Sequence, residues 1–329
     1  MKFGIIGYGV MGEIRYNVIK NMHEHCVIKV FEANLERKIP SDIQRVDNYL
    51  DILNDEDIDA VFICVPNYLI LKYVTESLDA GKHVFCEKPP GINYSQVLEM
   101  KKAEKRNYTL KLMFGFNHRH HESIIHAKQV IDSGDLGDLL WMRGRYGKSV
   151  PHDFKSNWRS KKEFAGGGIF LDQGIHMLDL FLMMCGNFDE VKAFVSNLYW
   201  KSDIEDNVFA IFKNSKGQVA SLHSTMTQWR HLFALEIFLE KGHIVINGLL
   251  TTSGSYGQEQ LTISRNTSSW KHGVSWDGSE TRTYNINNSW TNEINTFLNA
   301  IETDKPVPMG NSDDASKLMI LVDKVYEQK

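Results

Sequence analysis

Two sets of residues in this chain have types and spacings suited to chemistry. The first is Asp172, His176 and Asp179, four and three positions apart, so one face of a helix can carry all three. Their neighbours Phe170, Leu171, Ile175, Met177, Leu178, Leu180, Phe181 and Leu182 are strongly apolar. Polar groups in such surroundings are costly unless paired. A lone histidine there would more often be a core residue, but the flanking carboxylates favour general acid–base work. His176 could take a hydroxyl proton near neutral pH, with Asp172 orienting the substrate or sharing a hydrogen bond with the imidazole. The second set is Gly7-Tyr8-Gly9-Val10-Met11-Gly12, a GxGxxG pattern. Alone that pattern is loose; here it follows an apolar run and opens a helical stretch, where backbone N–H groups can hold a pyrophosphate. Gly9 would let a phosphate approach, and Gly12 would let the helix pack on the strand. Glu32 ends the next apolar run twenty residues later, where a carboxylate accepts hydrogen bonds from an adenosine ribose. It would repel a 2′-phosphate, and Ala33-Asn34 add no arginine, so NAD is expected over NADP. Arg37 is the residue that could reverse that preference.

Positioning these sets requires two kinds of architecture. Apolar runs at 3–6, 26–31, 60–65, 83–86 and 110–115 alternate with helical stretches to about residue 20 and at 47–54, 69–80 and 94–106. Strands alternating with helices through short connections predict a parallel, doubly wound sheet. Beyond residue 116 the pattern changes. A helix at 120–133 leads to a strand at 139–146, a polar loop at 151–162 and a very apolar helix at 169–185. Alternating runs from 191 to about 284, with turn signals at 214–217 and 240–242, predict a large antiparallel sheet. Helices at 291–302 and 313–327 close the sequence. The expected fold class is α/β, with a dinucleotide-type lobe at 1–118 and an α+β lobe at 119–329.

Composition narrows the function. The chain has 329 residues, 42% hydrophobic and 24% charged, with a formal net charge of −4. Nothing in that balance points to a nucleic-acid or membrane-surface partner, or to disorder. Cys26, Cys64, Cys86 and Cys185 contain no CxxC spacing, so a zinc module is not expected and a reducing compartment is. The N-terminal apolar stretch is broken by Gly4, Gly7 and Gly9 and ends at Glu13 and Arg15, unlike a signal peptide. The most apolar window, 178–185, is shorter than the ~20 residues of a membrane span, so a soluble, cytoplasmic protein is expected. His118, His120, His121 and His126 crowd together without completing a ligand set, and no metal is expected. Lys101, Lys102, Lys105 and Arg106 read as a solvated helix face.

Residues 59–91 read DAVFICVPNYLILKYVTESLDAGKHVFCEKPPG. Together with the glycine loop, Gly115-Phe116-Asn117-His118-Arg119, Asn157-Trp158-Arg159 and GGGIFLDQGIHMLD at 166–179, the chain closely resembles the Gfo/Idh/MocA oxidoreductases, the glucose-fructose oxidoreductase and inositol dehydrogenase family. The resemblance runs through the closing NTFLNAIETDKPVPM segment and implies an N-terminal Rossmann domain. The family's EKP motif falls on Glu87-Lys88-Pro89, which implies a catalytic or substrate-positioning role for Lys88 and places Glu87 at the cofactor. Independently, Lys88 lies just past an apolar strand, where open α/β sheets bind ligands. Pro66-Asn67 match a turn expected to line the cofactor's inner ribose. Val65 stands in place of the usual threonine, and Ile70 where the family often has histidine. Trp158-Arg159 resemble an element beside the nicotinamide or substrate, and Tyr146, ending a strand before the polar loop, is a further substrate-contact candidate. Lys88, Asp172 and His176 fall on the family's catalytic and substrate-binding positions; Asp179 reads as structural. The implied activity is NAD-dependent hydride transfer at a ring hydroxyl or keto group of a sugar, sugar nucleotide or cyclitol, by a homodimer or homotetramer. Relatives on this scaffold also include NAD-dependent glycosidases using transient oxidation, and a non-catalytic cofactor-binding protein is the third alternative.

Overall fold

The computed structural model describes residues 1–251, 256–266 and 279–328. The chain divides into two units, the first comprising residues 1–116, 163–166 and 290–320, the second 117–162, 167–289 and 321–329.

In the first unit, β1 (Lys2–Ile6) runs into helix α1 (Val10–Lys20), followed by β2 (Cys26–Phe31), the short β3 (Gln44–Val46) and α2 (Leu50–Leu53). Then come β4 (Ala60–Ile63), α3 (Ile70–Asp79), β5 (His83–Glu87), α4 (Tyr94–Arg106) and β6 (Leu112–Gly115). The six strands are all parallel, in the order β3-β2-β1-β4-β5-β6. Every residue of β4 is buried, as expected for a strand covered on both faces. The strand order reverses direction between β1 and β4, which opens a crevice at the strands' carboxyl ends. Phe3, Phe62 and Phe85 form the aromatic centre of this core. The segment 290–320 joins this unit because Ile294, Phe297 and Leu298 are buried in the same cluster, with Phe297 edge-on to Phe85. That allocation differs from a single boundary at 118, and nothing in the local pattern of 291–302 announces it. The strand β3 was also not expected; three residues carry too little periodicity to show.

In the second unit, α5 (Glu122–Asp132) precedes β7 (Leu139–Gly147). After α6 (Lys162–Ala165), a π-helical turn at Phe170–Gly174 leads into α7 (Ile175–Cys185). The sheet is completed by β8 (Glu190–Ser196), β9 (Asn207–Lys213), β10 (Val219–Thr225), β11 (Leu232–Leu239), β12 (Gly242–Asn247), β13 (Glu259–Arg265) and β14 (Glu280–Tyr284). Helix α8 (Ser289–Glu302), from Trp290 onward, and the first part of α9 (Ser312–Tyr326) belong to the first unit, and α9 ends in the second. The eight strands are ordered β14-β13-β12-β11-β7-β10-β9-β8, antiparallel except for the β7–β10 pair. Residues 252–255 and 267–278 of the expected meander lie outside the described residues. In β9, Val208, Ala210 and Phe212 are buried while Phe209 and Ile211 are exposed, a period-two alternation. Residues 162–185 are apolar and long enough to cross a membrane by length and composition, although the shorter window 178–185 is not. Here 72% of its most apolar window is buried inside the protein, with Leu178, Leu180 and Phe181 fully covered.

Candidate active site

The glycine loop of the first unit is built as its chemistry requires. Gly7 has φ +92°, a conformation that disfavours any side chain, and an added Cβ would run into the Cys64 carbonyl. Gly9 is different: its φ is −74° and a Cβ there would meet nothing within 4 Å. The fold itself does not require a glycine at position 9 and leaves open space beside it. Gly9 caps α1, whose first N–H groups have no side-chain cap, while Val10 is exposed and Met11 half-buried. Open space beside an uncapped helix N-terminus fits the pyrophosphate of a dinucleotide. Glu32 is half-buried and its two carboxylate oxygens accept from the Tyr8 N–H (2.6 Å) and the Asn34 N–H (2.8 Å). Each oxygen retains a second lone pair for a ribose hydroxyl. Arg37 reaches the same loop, donating to the Tyr8 carbonyl (2.9 Å) and pairing with Glu13 (2.6 Å). The guanidinium missing from Ala33-Asn34 is therefore supplied by the chain's return, with a carboxylate already beside it.

Lys88 is half-buried at the carboxyl end of β5, and its peptide bond to Pro89 is cis. Glu87 is the last residue of β5. It is buried, and its carboxylate accepts from Arg15 Nε at 2.7 Å. Arg15 also pairs with Glu293 at 2.7 Å and lies over the Phe85 ring. Glu87 thus ties the strand end that carries Lys88 to α1. Pro66 starts a short helical turn at Asn67, and the Asn67 amide donates to the Ala165 carbonyl at 2.8 Å.

In the second unit the segment 167–174 carries Asp172. Gly168 is held against the backbone of residue 205, where any Cβ would collide. The buried Glu205 carboxylate accepts the N–H groups of Gly168 (2.8 Å) and Phe170 (3.0 Å), and the Tyr326 hydroxyl donates to it at 2.9 Å. Burial outweighs these bonds and pushes the Glu205 carboxyl above its ordinary value. The π-helical turn that follows breaks the expected single-faced helix, and π-turns often occur at functional positions. Asp172 is half-buried and forms an ion pair with Lys148, just past β7. His176 is buried and stacked on His118. Asp179 leaves the set: its two oxygens receive Arg119 Nε (2.8 Å) and Nη2 (2.6 Å), a buried bidentate pair. Tyr146 is buried, its hydroxyl 2.9 Å from His118 Nε2 and its ring 5.2 Å from Tyr256. Burial drives the Tyr146 phenol well above its ordinary value.

The second unit therefore assembles Asp172, His176 and Tyr146 with two residues not foreseen as site members, Lys148 and His118. Lys148 carried a signal, since it follows a strand end as Lys88 does. His118 lies in the Gly115–Arg119 motif, whose residue types do not by themselves reveal its stacking on His176. The exposed Arg159 guanidinium lies over the indole of Trp158, 4.4 Å from the centroid. His121 pairs with Glu259 (2.9 Å) and His126 with the Tyr284 hydroxyl (2.8 Å). Among the described residues no group of three or more His, Cys, Asp or Glu is arranged to hold a metal.

Comparison with known proteins gives these geometries a context. Residues 1–116 match the oxidoreductase family NAD-binding Rossmann fold, and residues 124–245 match the GFO/IDH/MocA C-terminal domain. Levoglucosan dehydrogenase of Pseudarthrobacter phenanthrenivorans is 27% identical over 227 residues, 61% of this chain and 58% of that protein. Inositol 2-dehydrogenase of Salmonella typhimurium is 27% identical over 164 residues, 47% of this chain and 49% of that protein. The matched region thus spans about half to three fifths of these curated relatives' length. A solved levoglucosan dehydrogenase in complex with NADH superposes with a TM-score of 0.84 at 23% identity, covering 100% of this chain and 96% of that one. With an NAD-binding domain, a matched C-terminal domain and the loop and helix geometry above, this chain belongs to the GFO/IDH/MocA family of oxidoreductases.

Proposed function

We propose that this protein is an NAD-dependent dehydrogenase that transfers hydride between nicotinamide and a ring hydroxyl or keto group of a sugar, sugar nucleotide or cyclitol. Residues 1–118 hold NAD in this reading, and the remainder binds the carbohydrate and drives oligomerisation. The observation that carries it is the pairing of Asp172 with Lys148 on the π-helical turn and of His176 with His118 on the helix that turn leads into. When bound at the glycine loop, NAD supplies the hydride acceptor. Gly7, Gly9, Val10, Met11 and Gly12 would hold its pyrophosphate, Glu32 its adenosine ribose, and Pro66 with Asn67 its inner ribose. His176 accepts the hydroxyl proton, a step typically worth ~10²–10⁴ in rate. Lys88 stabilises the developing alkoxide with its ammonium. Asp172, kept beside Lys148, accepts hydrogen bonds from substrate hydroxyls and sets the ring's orientation. Glu87 acts through Lys88, as a positioning residue, and Trp158 and Arg159 contact substrate or nicotinamide. The relatives, named as dehydrogenases of an anhydrosugar and a cyclitol, support a carbohydrate substrate.

The test is purified protein with NAD and a panel of sugars, sugar nucleotides and cyclitols, read by reduced-nicotinamide absorbance. Substrate-dependent NADH formation, reduced at least roughly a hundredfold in Lys88→Ala and His176→Ala, is the expected result. Cleavage of a glycoside without net NADH would sink the reading, as would unchanged turnover in both variants. We further propose a cytoplasmic homodimer or homotetramer assembled through the outer face of the eight-stranded sheet. Phe194 and Phe209 are cross-strand neighbours on that face, and Phe194 is 79% exposed. Four free cysteines suit a reducing compartment. A monomer by sedimentation at micromolar concentration contradicts the assembly.

A further inference from the structure

Two loops of the second unit hold exposed aromatic rings in fixed positions. Tyr199 is 54% exposed and Trp229 58% exposed, and their rings meet at 78° with centroids 4.8 Å apart. Large aromatic side chains are usually covered; here the backbone is organised to keep them out. On the first loop the wholly buried Asp206 carboxylate accepts three successive N–H groups, from Leu198 (3.1 Å), Tyr199 (2.7 Å) and Trp200 (2.9 Å). Trp200 turns inward against Phe154, leaving Tyr199 on top. On the second loop Trp229 has φ +59°, a left-handed conformation that bulky residues rarely adopt. The non-glycine residues with positive φ among the described residues are Lys201, Trp229 and Asp304, and two of these three lie in this loop pair. Such strain gathers at ligand clamps.

The corner is continuous with the catalytic cluster. His231, two residues past Trp229, packs edge-on against Tyr256 at 4.8 Å, and Tyr256 packs on Tyr146, whose hydroxyl meets His118. Burial, and after it the Lys148 ammonium, keep the His231 imidazole below its ordinary value, so this loop lies within the field of the residue that pairs with Asp172. A rigid indole and phenol at right angles offer a flat apolar face and a wall, with a small entropy loss on binding. A pyranose has a C–H face that stacks on such a floor.

We propose that Tyr199 and Trp229 form a stacking subsite for a second sugar ring, joined by a glycosidic bond to the ring presented to Asp172 and His176. The inference rests on the carbohydrate dehydrogenase reading and narrows it: the substrate is a glycoside of at least two rings. No bond in the second sugar changes during the reaction; that ring supplies affinity only.

The experiment titrates NAD-saturated protein with glucose, galactose and mannose, and with cellobiose, maltose and lactose, by tryptophan fluorescence and calorimetry. At least one disaccharide binds roughly tenfold more tightly than its component monosaccharides. Trp229→Ala and Tyr199→Ala each remove most of that ratio, while Trp229→Phe retains part of it. Equal binding of one and two rings overturns the proposal, as does binding of no disaccharide, or a ratio unchanged in both alanine variants. Uridine diphosphate binding that is lost in Trp229→Ala, with no disaccharide preference, assigns the corner to a nucleobase and also overturns it. A shift to smaller sedimenting species in either variant, again with no change in the ratio, assigns it to a second copy of the chain. A disaccharide preference that depends on Trp229, without any NADH formation, leaves the subsite standing and removes the dehydrogenase reading instead.

Discussion

The imidazole of His118 lies stacked on that of His176, with ring centroids 3.8 Å apart and planes 17° from parallel. His118 is itself fixed at both nitrogens, 2.9 Å from the Tyr146 hydroxyl and 3.0 Å from Asn117 Oδ1. A buried ring held on two sides fixes the plane of the ring beneath it. His118→Ala removes that support, and kcat is expected to fall by on the order of 10²-fold, because small misplacements of a reacting group are costly. His118→Phe keeps the flat ring and recovers part of the loss. Calorimetry with NAD separates this positioning role from a loss of cofactor binding, and little change in NAD affinity is expected in either variant.

The two glycines of the loop predict opposite phenotypes. Gly9→Ala places its Cβ in open space at an ordinary φ, so the free protein should keep its Tm. The same methyl occupies the room left for a pyrophosphate, and NAD affinity should fall at least roughly tenfold, ~1.4 kcal/mol. Gly7→Ala meets a carbonyl at positive φ and should lower stability by more than ~1 kcal/mol before any ligand is added. Thermal shift with and without NAD separates the two.

Arg15 is wholly buried between the carboxylates of Glu87 and Glu293. Arg15→Met fills the space but removes a charge that both acids share, and should cost about 3–5 kcal/mol in urea unfolding. Arg15→Lys restores charge without the planar fork and should recover only part of it. An Arg15→Met protein as stable as the parent would show that the buried triad contributes nothing.

Glu259 gives an acid limb with a definite sign. Burial acts to raise its carboxyl, but hydrogen bonds from His121, Ser123 and the Leu250 N–H outweigh it, leaving the group below the ordinary 4.5. A depressed carboxyl contributes stability at pH values above its unfolded value, and that contribution is lost as pH falls through the folded one. Tm should therefore decline below about pH 4.5, and decline less steeply in Glu259→Gln, whose Tm at neutral pH is already lower. Parallel acid limbs in the two proteins would remove Glu259 from the account.

What was legible in the sequence was local. Gly7, Gly9 and Gly12 between an apolar run and a helix, and Glu32 at the end of the next strand, report their own geometry because each depends on backbone a few residues away. The alternation of buried and exposed residues in β9 is equally self-contained. The helix at 169–185 was harder. A regular period of 3.6 puts Asp172, His176 and Asp179 on one face, and the π-helical turn at Phe170–Gly174 has no signature in residue type. The three side chains go to Lys148, His118 and Arg119 respectively, partners that lie 24 to 60 residues away. Arg37 returning to Tyr8, and residues 290–320 returning to the first core, are long-range events of the same kind.

The hydroxyl of Tyr326 reaches back 121 residues to the carboxylate that grips Gly168 and Phe170. On the ribosome the segment bearing Asp172 and His176 therefore emerges long before its latch. Until that hydroxyl arrives, the carboxylate that holds the Gly168 and Phe170 N–H groups lacks one of its donors. The turn that carries Asp172 is thus fastened by groups far along the chain and not by its sequence neighbours alone.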